Sequence, residues 1–163
     1  MNKSLFLLVI FLQLLVSCNK NDMENKNEVV TDQNVANMLK SSPEEIAIAG
    51  KKLCIETYLW RDFMPEVEPD GKPLMACIKF VGESGDVLSK TISLSKVYVV
   101  NNDVIWTCDT FEINIFENDV LEVVIRGGPT WEPDTYVDVI CEFAYLKRSY
   151  KLMAKMQKIN ATY

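Results

Sequence analysis

The chain of 163 residues contains no histidine. That absence removes the commonest general base and the commonest zinc ligand, and it excludes Ser-His-Asp and Cys-His catalysis outright. Catalysis by carboxylate, tyrosine or lysine stays open. No Cys-x-x-C pair occurs, so neither a thiol redox site nor a cysteine zinc site is indicated. Basic residues number 17 against 23 acidic ones, for a formal charge of −6, and they are nowhere gathered into a cluster. Phosphate binding needs Lys and Arg on one face, so nucleic acid is not expected as a partner. No stretch approaches the 18 or so apolar residues of a membrane-spanning helix. The longest apolar run, Leu5 to Val16, has 12 residues and is broken by Gln13.

That run has the length of a signal-peptide core, and Lys3 supplies the positive charge before it. It ends in Leu15-Val16-Ser17-Cys18, which resembles the lipobox of bacterial lipoproteins. The resemblance implies cleavage before Cys18, diacylation of its thiol and a mature chain held in a membrane by lipid. Each buried methylene contributes about 0.8 kcal/mol, so two or three acyl chains hold where one would not. Asn19 is similar to the outer-membrane pattern of enterobacterial lipoproteins, in which Asp at that place favours inner-membrane retention. Lys20-Asn21-Asp22-Met23-Glu24 loosely resembles the surface-export signal of Bacteroidota lipoproteins. The expected address is the outer membrane, facing periplasm or cell surface.

Three segments are expected: a signal peptide at 1–17, a lipidated N-terminus and flexible tether at 18–45, and a folded domain at 46–163. The tether is rich in Asn, Asp, Glu, Lys and Ser and poor in aromatics, a composition that buries too little to order itself. Within it, Val35, Met38 and Leu39 share one stripe of a short helix starting near Thr31. Ser42-Pro43-Glu44-Glu45 reads as a capping box, while Ile46 and Ile48 fit a strand equally well. A coil over 19–45 would hold the domain roughly 30 Å off the membrane.

From Lys51 the apolar period is two. Leu53-Ile55-Thr57-Leu59, Leu74-Ala76-Ile78-Phe80, Phe111-Ile113-Ile115, Leu121-Val123-Ile125, Val137-Val139-Cys141-Phe143 and Tyr150-Leu152-Ala154-Met156 each alternate with polar or small residues. Ile92 to Val99 continues less cleanly, and Val104-Ile105-Trp106 follows an Asn101-Asn102-Asp103 turn. Leu146-Lys147-Arg148-Ser149 reads as the hairpin joining the last two runs. One polar and one apolar face per strand is the mark of antiparallel sheet. The expected fold is therefore all-β: an antiparallel β-sandwich, immunoglobulin-like or fibronectin-like, of seven or eight strands.

Beyond Cys18, four cysteines remain, which allow three connectivities. Cys54 and Cys77 sit on the non-core faces of consecutive strands and form the first candidate disulfide; the alternative is four free thiols acting as small hydrophobes. Glu66-x-Glu68-x-Asp70-Gly71 faintly resembles a calcium loop, but its twelfth position is Cys77 rather than Glu, so a Pro-Asp-Gly turn is the better reading. No metal or cofactor is implied.

Two stretches stand out as loops carrying Trp and Arg: Leu59-Trp60-Arg61-Asp62-Phe63-Met64-Pro65 with Pro69-Asp70-Gly71-Lys72-Pro73-Leu74, and Arg126-Gly127-Gly128-Pro129-Thr130-Trp131 with Tyr136-Val137-Asp138-Val139. They resemble segments of uncharacterised small bacterial proteins, which implies no activity. Trp and Arg dominate binding hot spots, so Trp60, Arg61, Asp62, Arg126 and Trp131 are the candidate binding residues. The competing reading is structural: Arg61 pairing with Asp62 to brace the loops, the glycines serving a turn, Trp131 capping the core. The expected function is a non-catalytic binding or structural module contacting an envelope protein or glycan. The alternative is a carboxylate-dependent hydrolase of envelope polysaccharide, although no carboxylate spacing singles out a catalytic pair.

Overall fold

The computed structural model describes residues 27–65, 70–82, 91–115 and 120–163. The expected signal peptide, Cys18, Glu66 and Glu68 lie outside the described residues. The chain runs through β1 (Glu28–Thr31), α1 (Gln33–Lys40), β2 (Ile46–Ile48), β3 (Lys51–Asp62), β4 (Met75–Gly82), β5 (Ile92–Asn101), β6 (Val104–Cys108), β7 (Glu112–Ile115), β8 (Leu121–Ile125), β9 (Tyr136–Tyr145) and β10 (Arg148–Thr162). Every alternating run read from the sequence becomes a strand, β3 through β10. Among the described residues no helix is long and apolar enough to cross a membrane.

The fold is all-β, but its sheet is one continuous mixed sheet, ordered β1-β6-β5-β9-β10-β3-β4-β8-β7, with β2 paired to β3 beside this path. It curls into a half-barrel. A purely antiparallel sandwich was expected; the difference comes from β10. Its first part pairs antiparallel with β9, and its end, Ile159 to Thr162, pairs parallel with Leu59 to Asp62 of β3. A single 15-residue strand thus belongs to both halves of the sheet. Between those parts a bulge interrupts the register from Ala154 to Gln157, and Met156 there has φ 52°. The extra residue reverses the alternation. Leu152 and Ala154 face the core before it, Ile159 after it, and Met156 is exposed rather than on the apolar face expected for it. A second register shift, between Leu94 and Lys96, explains why β5 alternates uncleanly: Leu94 and Val97 both reach the core.

The concave side encloses the main core, in which Leu53, Ile55 and Leu59 of β3 meet Val97 and Val99 of β5, Val139 and Phe143 of β9, and Trp106 of β6. A smaller cluster lies on the convex side, where α1 covers Val100, Ile105, Ile140 and Met153 with Ala36 and Leu39. These strands are buried on both faces, so they read as nearly unbroken apolar runs.

Here the expected tether needs correcting. Residues 28 to 31 pair with β6, and α1 packs on the sheet, so residues 28–40 belong to the folded part, which does not start at 46. Asp32 caps α1, accepting from the N–H groups of Asn34 at 2.9 Å and Val35 at 3.0 Å. The buried stripe is Ala36 and Leu39; Val35 and Met38 face outward. No helix follows Ser42. Pro43 O accepts from Met153 N–H at 2.9 Å, Glu44 pairs with Lys155 at 2.8 Å, and Ile46 and Ile48 join β3 as β2. Tertiary hydrogen bonds to β10 outweigh the local capping pattern.

The candidate Cys54–Cys77 disulfide is not formed, and the alternative of four free thiols is the arrangement present: Cys54, Cys77, Cys108 and Cys141 are free. Register sets Val81 opposite Cys54 and Cys77 opposite Tyr58. Four residues of offset is roughly 13 Å at about 3.3 Å per residue, against a limit of about 7 Å between bridged Cα atoms.

Candidate functional site

The site is built where β3 ends. Along β3 the inward positions are Leu53, Ile55, Thr57 and Leu59, and the next is Arg61. Arg61 is accordingly buried, at 2% exposure. It does not pair with Asp62. Its guanidinium donates to the carbonyls of Lys72 at 3.0 Å, Thr130 at 3.2 Å, Trp131 at 3.4 Å and Asp70, and it lies 4.9 Å from the Phe63 ring centre. Carbonyl dipoles of two loops solvate this buried charge, and in return Arg61 sets the distance between those loops.

Asp62 points to the other face. It accepts from Lys72 Nζ and from Met64 N–H, both at 3.0 Å. The Met64 N–H first, then Lys72, hold its carboxyl below the usual carboxylate range. The expected bracing of the loops is therefore present, through two separate sets of partners.

The second loop stretch follows β8. Gly127 has φ 79°, a conformation that costs an L side chain strain. Gly128 packs on the buried Trp106, and a Cβ there would lie 2.6 Å from its ring. Arg126 donates to Glu112 at 3.2 Å and to Met75 Sδ at 3.3 Å. Trp131 is half-buried and packs against the core, as the structural reading anticipated.

Trp60, Asp62 and Arg126 do come together. With Lys72, Met75 and Gly127 they line an open groove of about 460 Å³. Trp60 also borders a second open groove of about 390 Å³, beside Glu56, Tyr58, Cys77 and Lys79. Tyr58 and Trp60 alternate along β3, so both project from the convex side, with ring centres 5.5 Å apart and planes tilted by 30°. Tyr58 is 51% exposed. Around the pair, Lys79 and Glu122 form an ion pair at 3.5 Å. The Cys77 thiol is pushed up to about 11, by burial first and by Glu122 second, which leaves it protonated and unreactive at neutral pH. Sequence reasoning missed Tyr58, Met75 and Lys79, and singled out the stretch holding Lys72 without naming Lys72 as a site residue. The parity of Tyr58 with Trp60 was a usable signal; the placement of Lys72 and Met75 needed the pairing of β3 with β4.

Two features bear on chemistry. Asp62 and Glu122 both titrate below the usual range, Glu122 first through a hydrogen bond from Cys77. A glycosidase general acid requires a shift in the opposite direction. Among the described residues no group of three or more Cys, Asp or Glu side chains is placed to hold a metal ion; Asp70 contributes its carbonyl to Arg61 instead. No family model, curated protein or solved structure matches the chain.

Proposed function

We propose that the protein is a lipid-anchored component of the cell envelope, held at the outer membrane through Cys18, and that its folded domain is a non-catalytic binding module. The observation that carries the binding reading is the ring pair of exposed Tyr58 and half-buried Trp60, bordering two open grooves that Lys79, Asp62 and Arg126 help to line, with Glu122 paired to Lys79. Aromatic faces present large, rigid contact area at small entropic cost, and neighbouring charges supply hydrogen bonds of both polarities. That combination suits a glycan or an extended protein segment lying along β3. Arg61 and Trp131 serve the site from below: one fixes the loops, the other closes the core.

Two experiments test it. Cys18→Ala should release the protein from the membrane fraction and remove the lipid mass; a variant that stays in the membrane with unaltered mass sinks the anchor. Glycan-array and pull-down screens of the domain should yield a ligand whose affinity falls roughly 30-fold or more in Trp60→Ala, a hot-spot loss of at least about 2 kcal/mol. A ligand retained at full affinity by both Trp60→Ala and Tyr58→Ala places the site elsewhere.

A further inference from the structure

We propose that the Tyr58–Trp60 face binds an uncharged glycan chain lengthwise along β3, and not an anionic polysaccharide or a protein segment. The inference rests on the binding reading above and names the ligand class of that same site. Register places its parts. β3 lies inside the sheet, between β10 and β4, and outward residues of neighbouring strands form rows across it. Asn160, Trp60 and Met75 make one row. Tyr58, Cys77 and Val124 make the next, and Glu56, Lys79 and Glu122 the one beyond. The two grooves share Trp60: one reaches Glu56 and the other Asp62. Together they follow β3 for roughly 20 Å, at about 3.3 Å per residue. That path is longer than one sugar ring and suits several in a row.

Charge selects among ligands. Each described cation that lines the grooves already faces a carboxylate: Lys79 with Glu122 at 3.5 Å, Lys72 with Asp62 at 3.0 Å, and Arg126 with Glu112 at 3.2 Å. Glu56, opposite Lys79 in register, adds a further carboxylate. No cation of this set is spare for the sulfate, phosphate or carboxylate of an anionic chain. Such a chain would set like charge against Glu56 and the paired acids, and like-charge contact rejects a partner.

A neutral sugar meets the same groups favourably. Each hydroxyl carries a donor and two acceptor lone pairs. It accepts from the ammonium of an ion pair and donates to the carboxylate without separating them, and ionised partners strengthen both bonds. The C–H face of the sugar ring leaves water against Tyr58 and Trp60, and Met75 beside Trp60 widens that apolar strip. A peptide lacks the corresponding handle. Strand addition needs a free sheet edge, and the edges of this sheet are β1 and β7, not β3.

The test is calorimetric titration of the full chain, purified in a detergent without a sugar headgroup. The neutral probes are cellohexaose, laminarihexaose, mannohexaose, xylohexaose and maltohexaose. Hexagalacturonate, a heparin hexasaccharide and a proline-rich peptide represent the other classes. At least one neutral probe should bind, and its disaccharide more weakly. Its affinity should stay nearly constant between about 50 and about 200 mM salt, where phosphate-type charge contacts weaken steeply. Trp60→Ala should lower it roughly 30-fold or more, and Tyr58→Ala, at an exposed residue, repeats the test without loss of the fold. A disaccharide bound as tightly as the hexasaccharide overturns the lengthwise path. Trp60-dependent binding of an anionic probe or of the peptide alone overturns the neutral glycan and leaves the binding site standing. Binding of no probe overturns the glycan class. A neutral glycan held at full affinity by both variants overturns site and ligand class together.

Discussion

Arg61 occupies a place that the alternation of β3 reserves for an apolar side chain. Burial without a carboxylate partner is tolerated because four main-chain carbonyls converge on its guanidinium, in a geometry that the planar fork of donors matches. Truncation would leave those carbonyls buried and unpaired. Arg61→Ala should therefore destabilise the domain by at least about 1–3 kcal/mol, the cost of leaving one such buried acceptor unsatisfied. Arg61→Lys should recover only part of that, since an ammonium cannot reach both loops with the same geometry. Urea unfolding midpoints measure both, and a midpoint unchanged in Arg61→Ala would refute the staple. Trp60 sits one residue away and faces the opposite side of the sheet. Adjacent residues of one motif therefore divide into a structural and a ligand-facing role, which proximity along the chain conceals and parity reveals.

At the scale of elements, turns and bulges determine where side chains go. The β9–β10 hairpin closes through Leu146 and Lys147, at φ 46° and 64°, with Tyr145 paired to Arg148. Two successive positive φ angles are the requirement of a type I′ turn, which favours Asn-Gly over bulky residues. Replacing Leu146-Lys147 by Asn-Gly should raise stability by about 1 kcal/mol, seen as a higher thermal midpoint; an unchanged or lower midpoint would show that the turn is not under this strain. The hairpin itself was legible, as were β3 and β4, because each buries one face and keeps its alternation, and β8 and β9 were legible from their core-facing positions although Val124 and Ile140 bury part of the other face. The path of β10 was less so. Its bulge costs one residue of alternation, and after it the core-facing set is Ile159 rather than a continuation of Ala154 and Met156. β7 also departs from expectation: Ile113 and Ile115 alternate correctly, yet each is 49% exposed because β7 is an edge strand at the rim of the half-barrel.

For the molecule as a whole, the segment before residue 46 changes meaning once the sheet is assembled. α1 covers Val100, Ile105, Ile140 and Met153, and β1 supplies the strand beside β6. Burial of one Leu-sized side chain contributes about 1.5–3 kcal/mol, and a domain has only about 5–15 kcal/mol in total. A fragment beginning at Ile46 should consequently be aggregated or molten, whereas one beginning at Asn27 should fold cooperatively; circular dichroism melting and gel filtration of the two distinguish them. A cooperative, monomeric fragment from Ile46 would restore the longer tether.

Several properties follow from the order of residues alone. The missing histidine excludes whole classes of catalysis, the run ending at Cys18 suggests an address, and strict alternation reports which side of a strand is wet, because a pleated strand points successive side chains to opposite faces. Pairing between distant strands has no such local signature. The parallel junction of β10 with β3, the separation of Cys54 from Cys77, and the meeting of Trp60 with Arg126 are decided by register, which depends on how the whole sheet closes on its core. Arg61 shows both sides: its inward position could be counted from Leu59, but the carbonyls that make that position tolerable come from loops that only the folded chain brings together.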